Sequence, residues 1–251
     1  MTFQSNFHAE LADSFSACVT ADDSFAMMKK LAGEHGYLYF HYRQIHVGFD
    51  GSVSVTAYRS DMEREYQETL DRRRHLVADP LVRHCLLSDE PKLWSELEAD
   101  YDSARLNDRH RAKIDLFREF GLTAGMTLRL QNMRSGRGRF MSGMSMVQEY
   151  RADPVAHDRA FDADAARILA IASHFSAHIN PSDIARDHFR LNDREYDVLQ
   201  LLAEGCQVQQ IADRLDLADR TAAHHLSNMR RKLHATSNAH AVAIAMRIQL
   251  I

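Results

Sequence analysis

Leu191-Asn192-Asp193-Arg194-Glu195 opens a stretch that runs to Ile251 with no proline and one glycine, Gly205. Asn192 carries a helix-capping side chain, and Glu195 stands three positions on, where its carboxylate reaches back to complete a capping box. Val198, Leu199, Leu201 and Leu202 then follow on one side of a helix that Ala203-Glu204-Gly205 ends. A short helix is expected over Val208 to Leu215. A third begins after Asp219, where Ala222, Leu226, Met229 and Leu233 recur at spacings of four, three and four, the pattern of a buried stripe. Its opposite face carries Ala223, His224, Ser227, Asn228 and Arg231. Two short helices at a tight turn, the second apolar on one side and polar with basic groups on the other, form a helix-turn-helix pattern whose second helix suits the DNA major groove.

Upstream the pattern changes. Asn180-Pro181-Ser182-Asp183 interrupts a long helical stretch from about Asp153 to His178, because proline cannot continue a helix and its polar neighbours can cap a new one. This places a linker over 179–188, with a domain of residues 1–178 before it and one of 189–251 after it. In the first domain Gly36 to Ile45, Ser52 to Tyr58, Met126 to Gln131 and Phe140 to Glu149 read as strands, the last two separated by a break at Ser135 to Gly138. Ser24 to His35, Ser60 to Arg74, Asp79 to Leu87 and Ala104 to Phe120 read as helices. The expected fold class is therefore α+β: an N-terminal α/β/α sandwich around an antiparallel sheet, then an all-α helix-turn-helix domain.

Composition limits the function classes. With 251 residues, 45% hydrophobic, the chain can bury two modest cores. Acidic residues interrupt the apolar N-terminus, and no run approaches the roughly 18 apolar residues of a membrane span, so no membrane association is expected and the chain reads as cytoplasmic. Cys18, Cys85 and Cys206 are too few and too scattered for a disulfide framework or a metal site. The fifteen histidines show no metal-ligand spacing, and there is no nucleophile elbow or phosphate loop, so neither metal, cofactor nor enzyme activity is expected. The net charge of −4 argues against nonspecific coating of nucleic acid. From Leu191 onward seven Lys/Arg balance seven Asp/Glu, which leaves open an interaction protein whose helix-turn-helix no longer reads DNA.

Leu191, Arg194-Glu195, Leu199, Ala203, Gly205, Ile211-Ala212, Leu215, Thr221, His225-Leu226 and Lys232-Leu233 together resemble the LuxR-type DNA-binding domain. The departures are Asn192 in place of threonine, Ala222 in place of valine, and Ala218 where a serine usually caps the recognition helix. A lost cap costs about 1 kcal/mol, with Asp219 as the alternative cap. The resemblance implies that His224 and Ser227 contact bases, with Ala223 on the same DNA-binding face, while Thr221, Asn228, Arg231 and Lys232 suit phosphate contacts, which set register rather than sequence preference. His225 is expected to pack inside. The final helix, with Ala241, Val242, Ile244, Ala245 and Ile248, has more apolar surface than a three-helix core needs, and the resemblance implies a homodimer on a partly palindromic double-stranded DNA site.

Two kinds of input domain fit such a reader. A phosphoacceptor receiver would use an acidic pair, which Asp22-Asp23 mimics, but the later position for its aspartate, around Tyr66 and Gln67, reads as helix and holds none. Tyr66-x-x-x-Leu70, Asp79-Pro80, Trp94, the glycines of Phe120 to Gly125, and Ser145 instead resemble the acyl-homoserine-lactone-binding domain of quorum-sensing LuxR-type receptors, over roughly residues 20 to 175. The resemblance implies a small-molecule ligand held by Asp79 as acceptor of its amide N–H, walled by Trp94 and bonded by Ser145, with Tyr66, Leu70, Tyr58 and Met62 along the pocket. An apolar cavity with a few fixed polar groups is what a small amphiphile needs. Tyr66 stands where the family has a carbonyl-donating tryptophan, and Leu70 where it has a tyrosine. These replacements suit an orphan receptor whose pocket is retuned for a related signal; the alternative is a ligand-independent, constitutive regulator with a vestigial pocket.

Overall fold

The computed structural model describes residues 2–73, 79–101, 107–136 and 138–251. The readings at Arg74, at 104–106 and at Arg137 lie outside the described residues. The chain divides into two compact units, Met1–Val55 with Arg59–Ile179, and Thr56–Tyr58 with Asn180–Ile251.

In the first unit a five-stranded sheet runs in the order β2-β1-β5-β4-β3, from β1 (Tyr39–Val47), β2 (Val53–Ser60), β3 (Lys92–Leu93), β4 (Gly125–Ser135) and β5 (Gly138–Val147). β5 pairs antiparallel with both β1 and β4. The register sets His41 opposite Ser145, Arg43 opposite Gly143 and Ile45 opposite Met141, with Thr127 of β4 opposite Ser145. Because side chains alternate between faces, these residues look out on one side, while Phe40 and Tyr42 look out on the other. That other side is covered by α2 (Ala21–Gly33) and α7 (Pro154–His178), whose Phe25 and Phe175 close a ring cluster with Phe40 and Tyr42. α1 (Thr2–Ser16) packs outside α7.

The first face is covered by α3 (Arg64–Arg73), α4 (Pro80–Leu87), α5 (Trp94–Asp100) and α6 (Asp108–Glu119). Met62, Tyr66, Leu81, Trp94, Leu97, Ile114, Phe117 and Leu122 pack there as one buried cluster. The central strands are thus buried on both faces, which gives β5 apolar residues at successive positions rather than strict alternation. The α/β/α sandwich expected from the sequence is what forms. Three elements had no clear sequence signal: α1, whose apolar residues form no sharp stripe, α5, only seven residues long, and the two-residue β3, too short for any period to show.

The second unit is helical. α8 (Pro181–His188) occupies most of the stretch read as linker: Asn180 caps it, and Pro181 sits in its first turn, where a missing N–H costs nothing. α9 (Asp193–Ala203) has the Asn192–Glu195 capping box, followed by α10 (Val208–Leu215), α11 (Asp219–Lys232) and α12 (Asn238–Arg247). Asp216 closes α10 in the left-handed conformation, at φ 52°. The N-cap of α11 is Ala218, which is extended and offers no side-chain bond; Asp219 lies inside the first turn and is not the cap. Its charge there still favours the positive end of the helix dipole.

Among the described residues no helix is long and apolar enough to cross a membrane. No group of three or more His, Cys, Asp or Glu among them is arranged to hold a metal ion.

Candidate functional site

Beneath α3, α4 and α6 the sheet face forms the floor of a cavity with about 530 Å³ of non-atom space, its mouth included. His41, Arg43, Ile45, Thr127, Gly143 and Ser145 form the floor, and Met62, Tyr66, Asp79, Cys85, Trp94, Lys113 and Phe117 the walls. Five residues expected from the sequence therefore meet here: Met62, Tyr66, Asp79, Trp94 and Ser145. Leu70 is buried in the adjoining core cluster and is not brought to the cavity wall. Tyr58, half-buried in β2, is also absent from the lining.

The polar groups are held from different elements. Trp94 donates its indole N–H to the Thr127 hydroxyl at 3.0 Å, and Thr127 shares a 2.7 Å hydrogen bond with Ser145. The Trp94 ring stacks on Phe117, with centroids 4.3 Å apart and planes 11° from parallel. Its donor is thus spent inside the protein, and the ring acts as a wall. Gly125 permits this placement, since a Cβ there would stand 3.2 Å from the Trp94 ring and 2.8 Å from the Met146 carbonyl oxygen.

Asp79 caps α4, accepting the Leu81 N–H at 2.9 Å through Oδ1. Its Oδ2 lies 3.3 Å from Lys113 Nζ and 3.9 Å from an Arg43 terminal nitrogen. Lys113 also donates to the Tyr66 hydroxyl at 3.3 Å and sits over the Phe117 ring, 4.7 Å from its centroid. Asp79 and Lys113 are almost wholly buried, and Arg43 nearly so. Burial, then the Arg43 and Lys113 charges, hold the His41 imidazole well below its usual range, so it stays neutral. Burial and the neighbouring Asp79 push the Cys85 thiol up to about 12. Sequence reasoning missed Arg43, Lys113 and His41. Lys113 sits in a helix dense with charge and reads as solvated until Ile114, Leu116 and Phe117 fix which way the helix faces.

In the second unit Ala222, Leu226, Met229 and Leu233 form the buried stripe expected of them. Thr221, Ala223, His224, Ser227 and Arg231 are exposed on the other side of α11, and Asn228 is half-buried with its amide 2.9 Å from His224 Nε2. Lys232 is the exception: its ammonium lies 2.5 Å from Glu195 Oε2 and 2.6 Å from the Arg190 carbonyl oxygen. It clamps α11 to α9 rather than standing free for a phosphate, because the buried Glu195, 2% exposed, needs a counter-charge, which the partly exposed Lys232 supplies. The balance of charge is also uneven. α11 carries Arg220, Arg230, Arg231 and Lys232 against Asp219 alone, while four of the acidic residues sit in or next to α9. Exposed Arg220, in the first turn of α11, joins the candidate phosphate contacts. The apolar residues of α12 are largely consumed inside the unit: Ala241, Ile244, Ala245 and Ile248 are buried, which leaves Val242 half-covered and Met246 exposed.

Residues 20–177 match the autoinducer binding domain family, and residues 190–245 match the bacterial regulatory proteins of the luxR family. The transcriptional activator AnoR of Acinetobacter nosocomialis is 22% identical, over 98% of this chain and 99% of its own. The quorum sensing-dependent transcriptional regulator RpaR of Rhodopseudomonas palustris is 31% identical over 70% of this chain and 67% of its own. Among solved structures, SdiA in complex with octanoyl-rac-glycerol aligns at a TM-score of 0.52 and 18% identity, covering 99% of this chain and 96% of that one. The N-acylhomoserine lactone dependent factor CepR2 of Burkholderia cenocepacia aligns at 0.53 and 13% identity, over 71% of this chain and 95% of that one.

Proposed function

Since the chain belongs to the LuxR family of bacterial regulators and carries an autoinducer binding domain, we propose that it is a transcription factor whose DNA binding answers to an acyl-homoserine lactone or a related small amphiphile. The observation that carries this reading is the convergence of Met62, Tyr66, Asp79, Trp94 and Ser145 on one cavity of the sheet. These residues come from α3 and the bend before it, the cap of α4, α5 and β5, and a core packed only for stability has no need to leave space among them. The relatives' ligands, an N-acylhomoserine lactone for one and octanoyl-rac-glycerol in the structure of another, are small and acylated and match a cavity of mixed polar and apolar walls.

The exposed face of α11 reads DNA, with His224, Ala223 and Ser227 at base edges and Arg220, Arg231 and Thr221 on phosphates. The regulator acts in the cytoplasm as a homodimer on a partly palindromic site, each α11 entering one half-site. Ligand works by differential binding: at about 100 times its dissociation constant it adds roughly 2.7 kcal/mol to the state that holds it. Thermal unfolding of the full chain against a panel of acyl-homoserine lactones and bacterial extracts, followed by promoter binding with and without each stabilising sample, tests this. Ligand-dependent stabilisation together with altered promoter affinity is the expected result. Promoter binding indifferent to every sample would instead establish the constitutive regulator.

A further inference from the structure

We infer that the cavity is built for an anionic ligand, an acyl or aryl amphiphile whose acid group sits against Arg43 and Lys113. This rests on the proposed ligand-responsive reading and narrows its ligand class.

The argument is one of charge. Arg43 and Lys113 both line the cavity, and among the described residues Asp79 is the one carboxylate that does so. Asp79 offsets a single positive charge, and it does so through Lys113 at 3.3 Å; its nearest Arg43 nitrogen is at 3.9 Å, beyond hydrogen-bond reach. The Arg43 Nε is buried and has no hydrogen-bond partner. His41 beside them is neutral, and the Cys85 thiol stays protonated. The cavity therefore holds two cations to one anion. A buried guanidinium whose one facing carboxylate lies beyond hydrogen-bond reach is costly to keep, and the fold keeps one here on the floor of an open cavity. Arg43 projects from the floor strand β1 and Lys113 from α6 in the wall, so an acid group entering the cavity meets charge-assisted donors from two sides. Asp79 remains available to accept an amide N–H. An N-acyl homoserine whose lactone ring has been hydrolysed carries both groups; a plain fatty acid carries only the first.

The test is isothermal titration of the full-length wild-type protein with four probes at each of several chain lengths: N-acyl homoserine lactone, its ring-opened acid, the methyl ester of that acid, and the matching fatty acid. The expected result is that the ring-opened acid binds on the order of ten-fold or more tighter than its neutral ester and lactone. Fatty acid binding as tightly would place the recognition in the carboxylate alone, and weaker binding would add the amide to it. Arg43→Gln removes the preference for acid over ester while the protein still unfolds cooperatively; if that variant does not fold, the wild-type comparison of acid with ester decides by itself. Lactone or ester binding equal to or tighter than acid overturns the inference and leaves the ligand-responsive reading standing. Absence of binding by all four probes overturns the inference, and the ligand-responsive reading is then decided separately by the extract panel.

Discussion

Lys232 Nζ lies 2.5 Å from Glu195 Oε2, and this pair joins the last turn of α11 to the first turn of α9. The same Glu195 carboxylate accepts the Asn192 N–H of the capping box at 3.0 Å, so one buried group holds a helix start and a helix–helix contact together. Lys232→Met strands that carboxylate with a backbone N–H alone. Breaking a buried pair from one side costs about 3 kcal/mol, and chemical denaturation is expected to show a loss of that order. Adding Glu195→Gln recovers part of it; a single variant as stable as wild type would show that the pair contributes little.

DNA binding separates from stability on the exposed face of α11. Arg231→Ala is expected to weaken binding to a defined promoter and to reduce the slope of log affinity against log salt by about 1, with no change in Tm. His224→Ala relaxes sequence preference with a smaller change in salt dependence. Fluorescence anisotropy at several salt concentrations, on cognate and scrambled duplexes, measures both.

Asp79 has a structural task besides any contact with ligand. It caps α4 and faces two buried cations. Asp79→Ala is therefore expected to cost about 3–5 kcal/mol through the unpaired cations alone, before any ligand is added. Asp79→Asn keeps an oxygen for the Leu81 N–H and loses only the charge. A denaturant titration that ranks alanine below asparagine, and both below wild type, would support this division of work.

The His41 imidazole gives a pH dependence whose sign is set by burial and by the Arg43 and Lys113 charges. Its folded-state pKa lies well below the ordinary 6.5, so above that value imidazole is neutral whether the chain is folded or not, and the full stability is present. As pH falls below about 6.5 the unfolded chain takes up a proton that the folded one refuses, and stability declines. His110 and His174, also lowered chiefly by burial, add in the same direction. Unfolding free energies at pH 7.5 and 5.5 are expected to differ for wild type and to differ less for His41→Gln.

Trp94 is the single tryptophan, so its fluorescence reports on the cavity wall without interference. Gly125→Ala places a methyl 3.2 Å from its ring and 2.8 Å from a backbone oxygen that cannot move far. A destabilisation of about 1–3 kcal/mol and a shift in emission are expected together. Emission unchanged in the variant would mean that the stack with Phe117 absorbs the methyl.

The amino-acid sequence by itself determined the two-domain organisation, the α/β/α and helix-turn-helix architectures, the Asn192–Glu195 capping box and the Ala222–Leu233 stripe. All of these rest on signals within a few residues, which local geometry reads out in the same way wherever the segment lies. It also marked Tyr66, Asp79, Trp94 and Ser145, through their resemblance to a known domain. Only the tertiary structure decided that Leu70 turns into the core, that Lys232 serves Glu195, that the apolar side of α12 is spent internally, and that Arg43 and Lys113 meet Asp79. The last three depend on side chains from separate elements, and no local period records their meeting. A lysine in a charged helix looks solvated in sequence, and becomes a buried cation only when the packing of Ile114 and Phe117 turns it towards the sheet.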